Sequence, residues 1–400
     1  MQATSHKEHP ENLIYDENTG MSVLSSALIF GPNASGKTYI FNAFRALKAM
    51  VKDMYYEDTE YSWYEPFKLD PKCVGAPVSL NIRLIDEGTL YDYSISFQSD
   101  RVVSEYLNYY PKKRVKSVFK RDQEFKGGSK KLLELLNPSS SYLALAAKYN
   151  DSICAKVHRL IREIITIHSD QVSALPPISC NYIKDDVSKK KMMIEALKKA
   201  DFGITDFVVE SKDLNLEDIK MDLPPAVYEK FITENDSQFI TTSIYVKHKY
   251  GRNNEKPIEA VFNMKKEEST GTKCMFGLMG PFMDNLLKGK TLLIDEFGAH
   301  LHPLLTRWLI NQLNNKNNPN GAQLIATTHD VSLIDTRDLI RRDQIFFTDK
   351  DRETGSSVLY SLSDFKGTRK DDLILKSYLM GRYDAIPIIS SGRMLIDREN

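Results

Sequence analysis

The sequence predicts an α/β fold with a central mixed or parallel sheet, an antiparallel β subdomain and a helical insertion. Three observations predict it. An apolar, strand-like run at residues 23–30 enters the glycine-rich stretch Gly31-Pro32-Asn33-Ala34-Ser35-Gly36-Lys37-Thr38 and then a segment of helical period. Residues 78–99 alternate apolar and polar side chains, as half-buried strands do. From about Ile258 the chain reads strand, helix, strand, helix, the rhythm of a parallel sheet with crossovers.

Each element has its own reason. The first twenty residues are polar and read as loose. Residues 39–51 carry apolar side chains at Ile40, Phe41, Phe44, Leu47 and Val51, one face of a helix. Residues 78–84 and 91–97 flank Asp86-Glu87-Gly88 and predict a hairpin. Residues 102–109 and 114–121 read as further strands, and Gly127-Gly128-Ser129 breaks the chain. Residues 130–136, 141–149, 153–167 and 187–200 then read as helices. Alternation returns at 207–209 and 243–248. This divides the chain into an N-terminal lobe (1–129), a mainly helical insertion (130–255) and a C-terminal lobe (256–400). The lysines at 189–191 and 198–199 read as a solvated helix face, with nucleic-acid contact as the alternative.

The 54 basic and 54 acidic residues cancel, so no global charge draws the chain to nucleic acid or membrane. No apolar run approaches a membrane span, and the N-terminus has no signal-peptide core. Cys73, Cys154, Cys180 and Cys274 are scattered and form no C-x-x-C pair. They predict reduced thiols in a cytoplasmic protein.

The glycine-rich stretch fits G-x-x-x-x-G-K-[ST] at every fixed position, between a strand and a helix. Backbone N–H groups from Gly31 to Thr38 and the helix N-terminus would cradle phosphates. Lys37 would reach the β- and γ-phosphates, and Thr38 would hold Mg²⁺. The bland alternative is a glycine-rich turn. A second apolar run, Thr291-Leu292-Leu293-Ile294, ends in Asp295-Glu296. With a phosphate loop present, Asp295 would bind the Mg²⁺ shell and Glu296 would be the general base for the attacking water. A third run ends in Thr327-Thr328-His329-Asp330. His329 could hydrogen-bond the γ-phosphate or the water, or simply cap a surface strand. Ser269 and Gly271 open a helical run at 274–287, which makes an anion site or no more than an N-cap.

In this order the motifs resemble the ABC-type ATPase heads of the SMC, RecF and OLD proteins. The resemblance implies that ATP is the nucleotide. It implies that Ser269 and Gly271 dock on ATP held by the other subunit, so that ATP closes a homodimer or higher homo-oligomer. The signature departs from Leu-Ser-Gly-Gly-Gln, reading Glu268-Ser269-Thr270-Gly271-Thr272, and no glutamine loop is assigned. Residues 293–297 with His300-Leu301-His302-Pro303, 341–348, 360–365 and Tyr378-Leu379-Met380-Gly381-Arg382-Tyr383-Asp384-Ala385-Ile386-Pro387 look like the RloA/AbiL-type ATPases of abortive-infection and phage-defence loci. Those ATPases usually open with a strand of Asn-Phe-x-Ser-Phe type; its absence implies a truncated or different start.

The resemblance implies an ATP-binding and hydrolysing sensor or switch in antiviral defence, controlling a separate toxin or nuclease effector and answering a phage-derived trigger. The alternative is a DNA-binding ATPase of RecF or SMC kind. Asp349-Lys350-Asp351 could be a nuclease metal pattern, but the following Arg352-Glu353-Thr354-Gly355 favours a hairpin turn. His300 and His302 lack metalloprotease spacing, so no zinc site is expected.

Overall fold

The computed structural model describes residues 1–52, 60–168, 175–184, 186–213, 240–251, 258–314, 318–335, 337–365 and 373–387. The expected lobe boundary at 255/256 lies outside them. The chain forms two units: Met1–Ile167 with Lys288–Ala299 and Thr306–Asn400, and His168–Leu287 with His300–Leu305.

The first unit opens with β1 (Leu13–Asp16) and β2 (Met21–Leu24), an antiparallel pair. After Ser25 the chain enters β3 (Ser26–Phe30), all five residues of which are buried. The single strand expected over 23–30 is therefore two strands in two sheets. The N-terminal residues are not loose. Arg341, fully buried, donates to the carbonyls of His6 at 2.9 Å and Glu8 at 2.6 Å. Asp343 accepts from the amide and hydroxyl of Thr4 at 2.8 and 2.7 Å, and Glu8 pairs with Arg342 at 2.7 Å. A polar segment gains order here because its carbonyls meet a buried guanidinium that requires acceptors.

Helix Lys37–Lys52 follows. Its first turns pack Phe41 against Leu293 of the main sheet and Ile164. Its later residues Ala46, Leu47, Met50 and Val51 join the core of an antiparallel sheet. That sheet runs β4 (Val78–Asp86), β5 (Thr89–Phe97), β6 (Val102–Tyr110), β7 (Lys116–Arg121), β8 (Phe125–Gly127) in sequence order. It is the expected β subdomain, and its buried face carries Tyr93, Ile95, Phe97, Leu107 and Phe119. The helices Tyr142–Lys148 and Ser152–Glu163 close it. The helix expected over 153–167 stops at Glu163, and Ile165–Ile167 form β9, an edge strand of the main sheet. A continuous apolar period concealed that change, since three residues cannot establish a period of two.

The main sheet is completed by β13 (Thr291–Ile294), β14 (Gln323–Thr327), β15 (Ile345–Lys350) and β16 (Ser357–Ser361). Its order is β16-β15-β3-β14-β13-β9, parallel except for the β15–β16 hairpin. Thus β14 separates the strand before the phosphate loop from the strand before Asp295. All three end at one edge, where parallel sheets place ligands.

The second unit holds helices Leu175–Ile183 and Val187–Lys199 and a separate antiparallel sheet. Its strands are β10 (Ile204–Asp213), β11 (Ile240–Tyr250) and β12 (Ile258–Asn263). Because β12 belongs to this sheet, the parallel rhythm expected from Ile258 begins only at β13. Helix Thr270–Lys288 starts four residues before the expected run and is buried along most of its length. Its Gly280 amide donates to Ser179 Oγ at 2.6 Å, and a Cβ at Gly280 would sit 2.6 Å from the Ser179 Cα. Lys189, Lys190 and Lys198 pair with Asp186, Asp206 and Glu195 at 3.4, 3.0 and 3.0 Å.

Among the described residues no helix is long and apolar enough to cross a membrane. All four cysteines are free.

Candidate functional site

The phosphate loop leaves β3 at Phe30 and enters the helix at Lys37. Gly36 has φ +100°, and a Cβ there would lie 2.7 Å from Ser357 Oγ, so both conformation and space require glycine. Ser35 is buried, its hydroxyl 2.6 Å from Thr348 Oγ1. Asn33, Ala34 and Thr38 are exposed, Pro32 half-buried and Gly31 buried. The buried Lys37 ammonium donates to the carbonyls of Gly31 and Pro32, both at 2.9 Å. Loss of hydration lowers the Lys37 pKa, while the Asp295 and Glu296 carboxylates oppose that shift.

Asp295 follows β13 and is buried. Its amide donates to Ile167 O of β9 at 2.9 Å, and its Oδ1 accepts the Thr327 hydroxyl at 2.5 Å. That same hydroxyl oxygen accepts the Glu296 amide at 2.8 Å, while Phe297 N donates to Thr327 O at 2.7 Å. Thr327 ends β14, so the middle strand of the three fixes both acidic residues. Glu296 takes φ +54°, an uncommon left-handed conformation for a residue with a side chain, and is exposed. His329, two residues beyond Thr327, is also exposed at its outer surface. Its pKa is lowered by loss of hydration first and by the Lys37 ammonium second; Glu296 and Asp295 oppose both. Lys37, Asp295, Glu296 and His329 thus act on one another electrostatically at this edge.

Ser269 and Gly271 belong to the second unit. Ser269 Oγ accepts the Thr272 amide at 3.1 Å at the start of helix Thr270–Lys288, as a capping serine does. Gly271 has no room for a side chain, since a Cβ would stand 2.9 Å from the His300 carbonyl oxygen. His302 Nδ1 accepts the Leu304 amide at 3.2 Å at the next helix start.

Sequence reasoning missed Thr327 and Thr348. Thr327 ends β14 and Thr348 lies within β15, the two strands that flank the phosphate-loop strand, and only strand order brings each to the site. Asp349 is still in β15, opposite Val358, while Asp351 opens the turn to β16, its Oδ1 accepting the Thr354 amide and hydroxyl, both at 2.7 Å. A cleft of about 1180 Å³ runs along the outer side of the loop, past Asn33, His329, Asp349, Tyr378 and Pro387.

Three solved structures are similar to the chain. An SMC head bound to the C-winged helix domain of ScpA is 13% identical, covering 85% of this chain and 91% of its own, at TM-score 0.41. The SMC head domain from Thermotoga maritima is 14% identical, covering 87% and 96%, at TM-score 0.37. The SMC head with an extended coiled coil from Pyrococcus furiosus, bound to the C-terminal domain of ScpA, is 11% identical, covering 93% and 97%, at TM-score 0.35. No curated protein matches the chain. Residues 26–335 match the family described as "AAA domain, putative AbiEii toxin, Type IV TA system". That match takes in the phosphate loop, the Asp-Glu strand and His329, and with it the chain belongs to this AAA-domain family and is a P-loop ATPase.

Proposed function

We propose that the chain is an ATP-driven switch of bacterial antiviral defence that closes as an ATP-sandwiched dimer and controls a separate toxin or nuclease. One observation carries the dimer reading. Lys37 and Asp295 are buried, yet Glu296 and His329, the groups nearest the proposed reaction, are exposed in the single chain. Hydrolysis chemistry is favoured where bulk water is excluded and fixed charges act at low dielectric. A second copy presenting Ser269 and Gly271 would cover that open side. The toxin–antitoxin setting printed in the family description supports the defence role.

In this reading the Lys37 ammonium stands against the β- and γ-phosphate oxygens, and N–H groups of Gly31 to Thr38 surround them. The Glu296 carboxylate accepts a proton from the attacking water, and His329 orients that water or the γ-phosphate. Thr38 and Asp295 would hold Mg²⁺, which supplies positive charge to the phosphates. Hydroxyl and carboxylate are the hard oxygen donors this ion takes. Among the described residues no cluster of three His, Cys, Asp or Glu side chains could hold a metal alone, which suits an ion shared with phosphate oxygens.

Trans-complementation tests the sandwich. Lys37→Ala and Ser269→Arg should each abolish ATP hydrolysis. Mixed in equal amounts, they should recover about a quarter of wild-type activity, because each mixed dimer keeps one intact site. Mixtures as inactive as the separate variants would refute a site shared between subunits. In cells, Lys37→Ala should remove protection against phage; protection that survives it would contradict the defence switch.

A further inference from the structure

We propose that the β15–β16 hairpin is the template that shapes the phosphate loop, with Thr348 a positioning residue for ATP acting through Ser35. The inference rests on reading Gly31 to Thr38 as the triphosphate cradle, and not on dimer closure.

A loop that grips phosphates with its own N–H groups cannot also spend those groups on holding itself in shape. Within this loop the backbone contributes only Ser35 N to Pro32 O at 3.3 Å, before Tyr39 N bonds Gly36 O at 3.1 Å. Gly36 takes its φ of +100° freely, but Ala34 stands at φ +61°, a conformation that a residue with a side chain keeps only when surrounding structure enforces it. The enforcing structure is the hairpin. In the main sheet β15 lies parallel to β3 with Phe347 opposite Phe30, which sets Thr348 beside Gly31. Thr348 Oγ1 is 2.6 Å from Ser35 Oγ and 3.4 Å from the Phe30 carbonyl. Both hydroxyl residues are almost wholly buried, at 1% exposure for Ser35 and 2% for Thr348.

The two loop glycines face the same wall. A Cβ on Gly31 would overlap Thr348 Oγ1 and lie 2.6 Å from the Thr348 carbonyl oxygen. A Cβ on Gly36 would lie 2.7 Å from Ser357 Oγ, on the returning strand. The hairpin therefore touches both ends of the loop. Among the described residues, the buried Ser35 hydroxyl has its direction fixed by Thr348. Rotation of Ser35 away from it would turn the N–H groups on either side away from the phosphates. Preorganised donors lose their advantage when the shell behind them is loosened.

The test is equilibrium binding of a fluorescent ATP analogue with Mg²⁺ to the purified chain, with nucleotide-free melting alongside. Thr348→Val keeps shape but strands the buried Ser35 hydroxyl; it should lower the melting temperature modestly and, assayed well below that temperature, weaken binding about tenfold. Thr348→Ser restores the hydroxyl and should bind within about twofold of wild type. Should Thr348→Val not fold, Ser35→Ala reports on the same contact and should weaken binding similarly. The Ser35→Ala/Thr348→Val pair should cost no more than either change alone, since both remove one interaction. Wild-type affinity in Thr348→Val and in Ser35→Ala, or strictly additive losses in the pair, would overturn the proposal.

Discussion

The Thr327 hydroxyl donates to Asp295 at 2.5 Å, and its oxygen also receives the amide of Glu296 at 2.8 Å. One side chain from β14 thus aims the proposed metal-shell carboxylate and pins the backbone that carries the proposed base. The sheet order makes this unavoidable, because β14 lies between β3 and β13. Thr327→Val keeps the volume and removes both hydrogen bonds. We expect kcat for ATP to fall about tenfold or more, with the Mg²⁺ concentration for half-maximal activity raised. Unchanged metal dependence in steady-state assays would show that Thr327 has no part in aiming Asp295.

Glu296→Gln should bind ATP normally and hydrolyse it about 10²- to 10⁴-fold more slowly, the usual worth of a positioned general base. The amide cannot accept the water's proton, while size and backbone conformation are kept. Single-turnover hydrolysis and nucleotide binding, measured on one preparation, separate the two effects. Hydrolysis at the wild-type rate would move the base elsewhere.

His329 carries a pH signature. Its pKa lies below the ordinary 6.5, through loss of hydration and then through Lys37. The ring therefore takes up its proton at a lower pH than a free histidine would. A group with a depressed folded pKa contributes stability above its unfolded value and loses it as pH falls through the folded one. Activity that needs neutral His329 should accordingly hold through pH 6.5 and decline below it. NMR titration of the ring, compared with His329→Asn, follows the change directly. A midpoint at or above 6.5 would contradict this.

Glu105 makes a stability prediction away from the site. Fully buried, it accepts from the amides of Tyr142 and Leu143 at 2.7 and 3.0 Å and from Tyr93 OH at 2.9 Å. Glu105→Ala strands three buried donors and should destabilise the first unit by about 3 kcal/mol or more. Differential scanning calorimetry would show it as a lowered melting temperature. An unchanged melting temperature would mean those donors find water or other partners.

What was legible in the sequence was local. The phosphate loop needs fixed spacing over eight residues, and the hairpin at Glu87-Gly88 needs a period of two on either side of a turn. Both are written in adjacent residues. The order of motifs also let the resemblance reach Asp295, Glu296 and His329. What escaped depends on partners far along the chain. The clasp of Thr4, His6 and Glu8 on Arg341, Arg342 and Asp343 joins the start of the first unit to the residues just before β15. Nothing in a polar N-terminus announces a guanidinium some 330 positions away. Thr327 and Thr348 look like ordinary strand residues until strand order sets one beside Asp295 and the other beside Ser35. The strand Ile165–Ile167 escaped because the preceding helix ran into it without a break in hydrophobicity.

The most direct measurement is the mass in solution of Glu296→Gln, by light scattering with size-exclusion chromatography, with and without ATP and Mg²⁺. Blocking hydrolysis should trap the closed state, so ATP should double the mass of the nucleotide-free species, and adding Ser269→Arg should abolish that doubling. An unchanged mass at saturating ATP, with binding demonstrated on the same sample, would contradict the ATP-closed dimer.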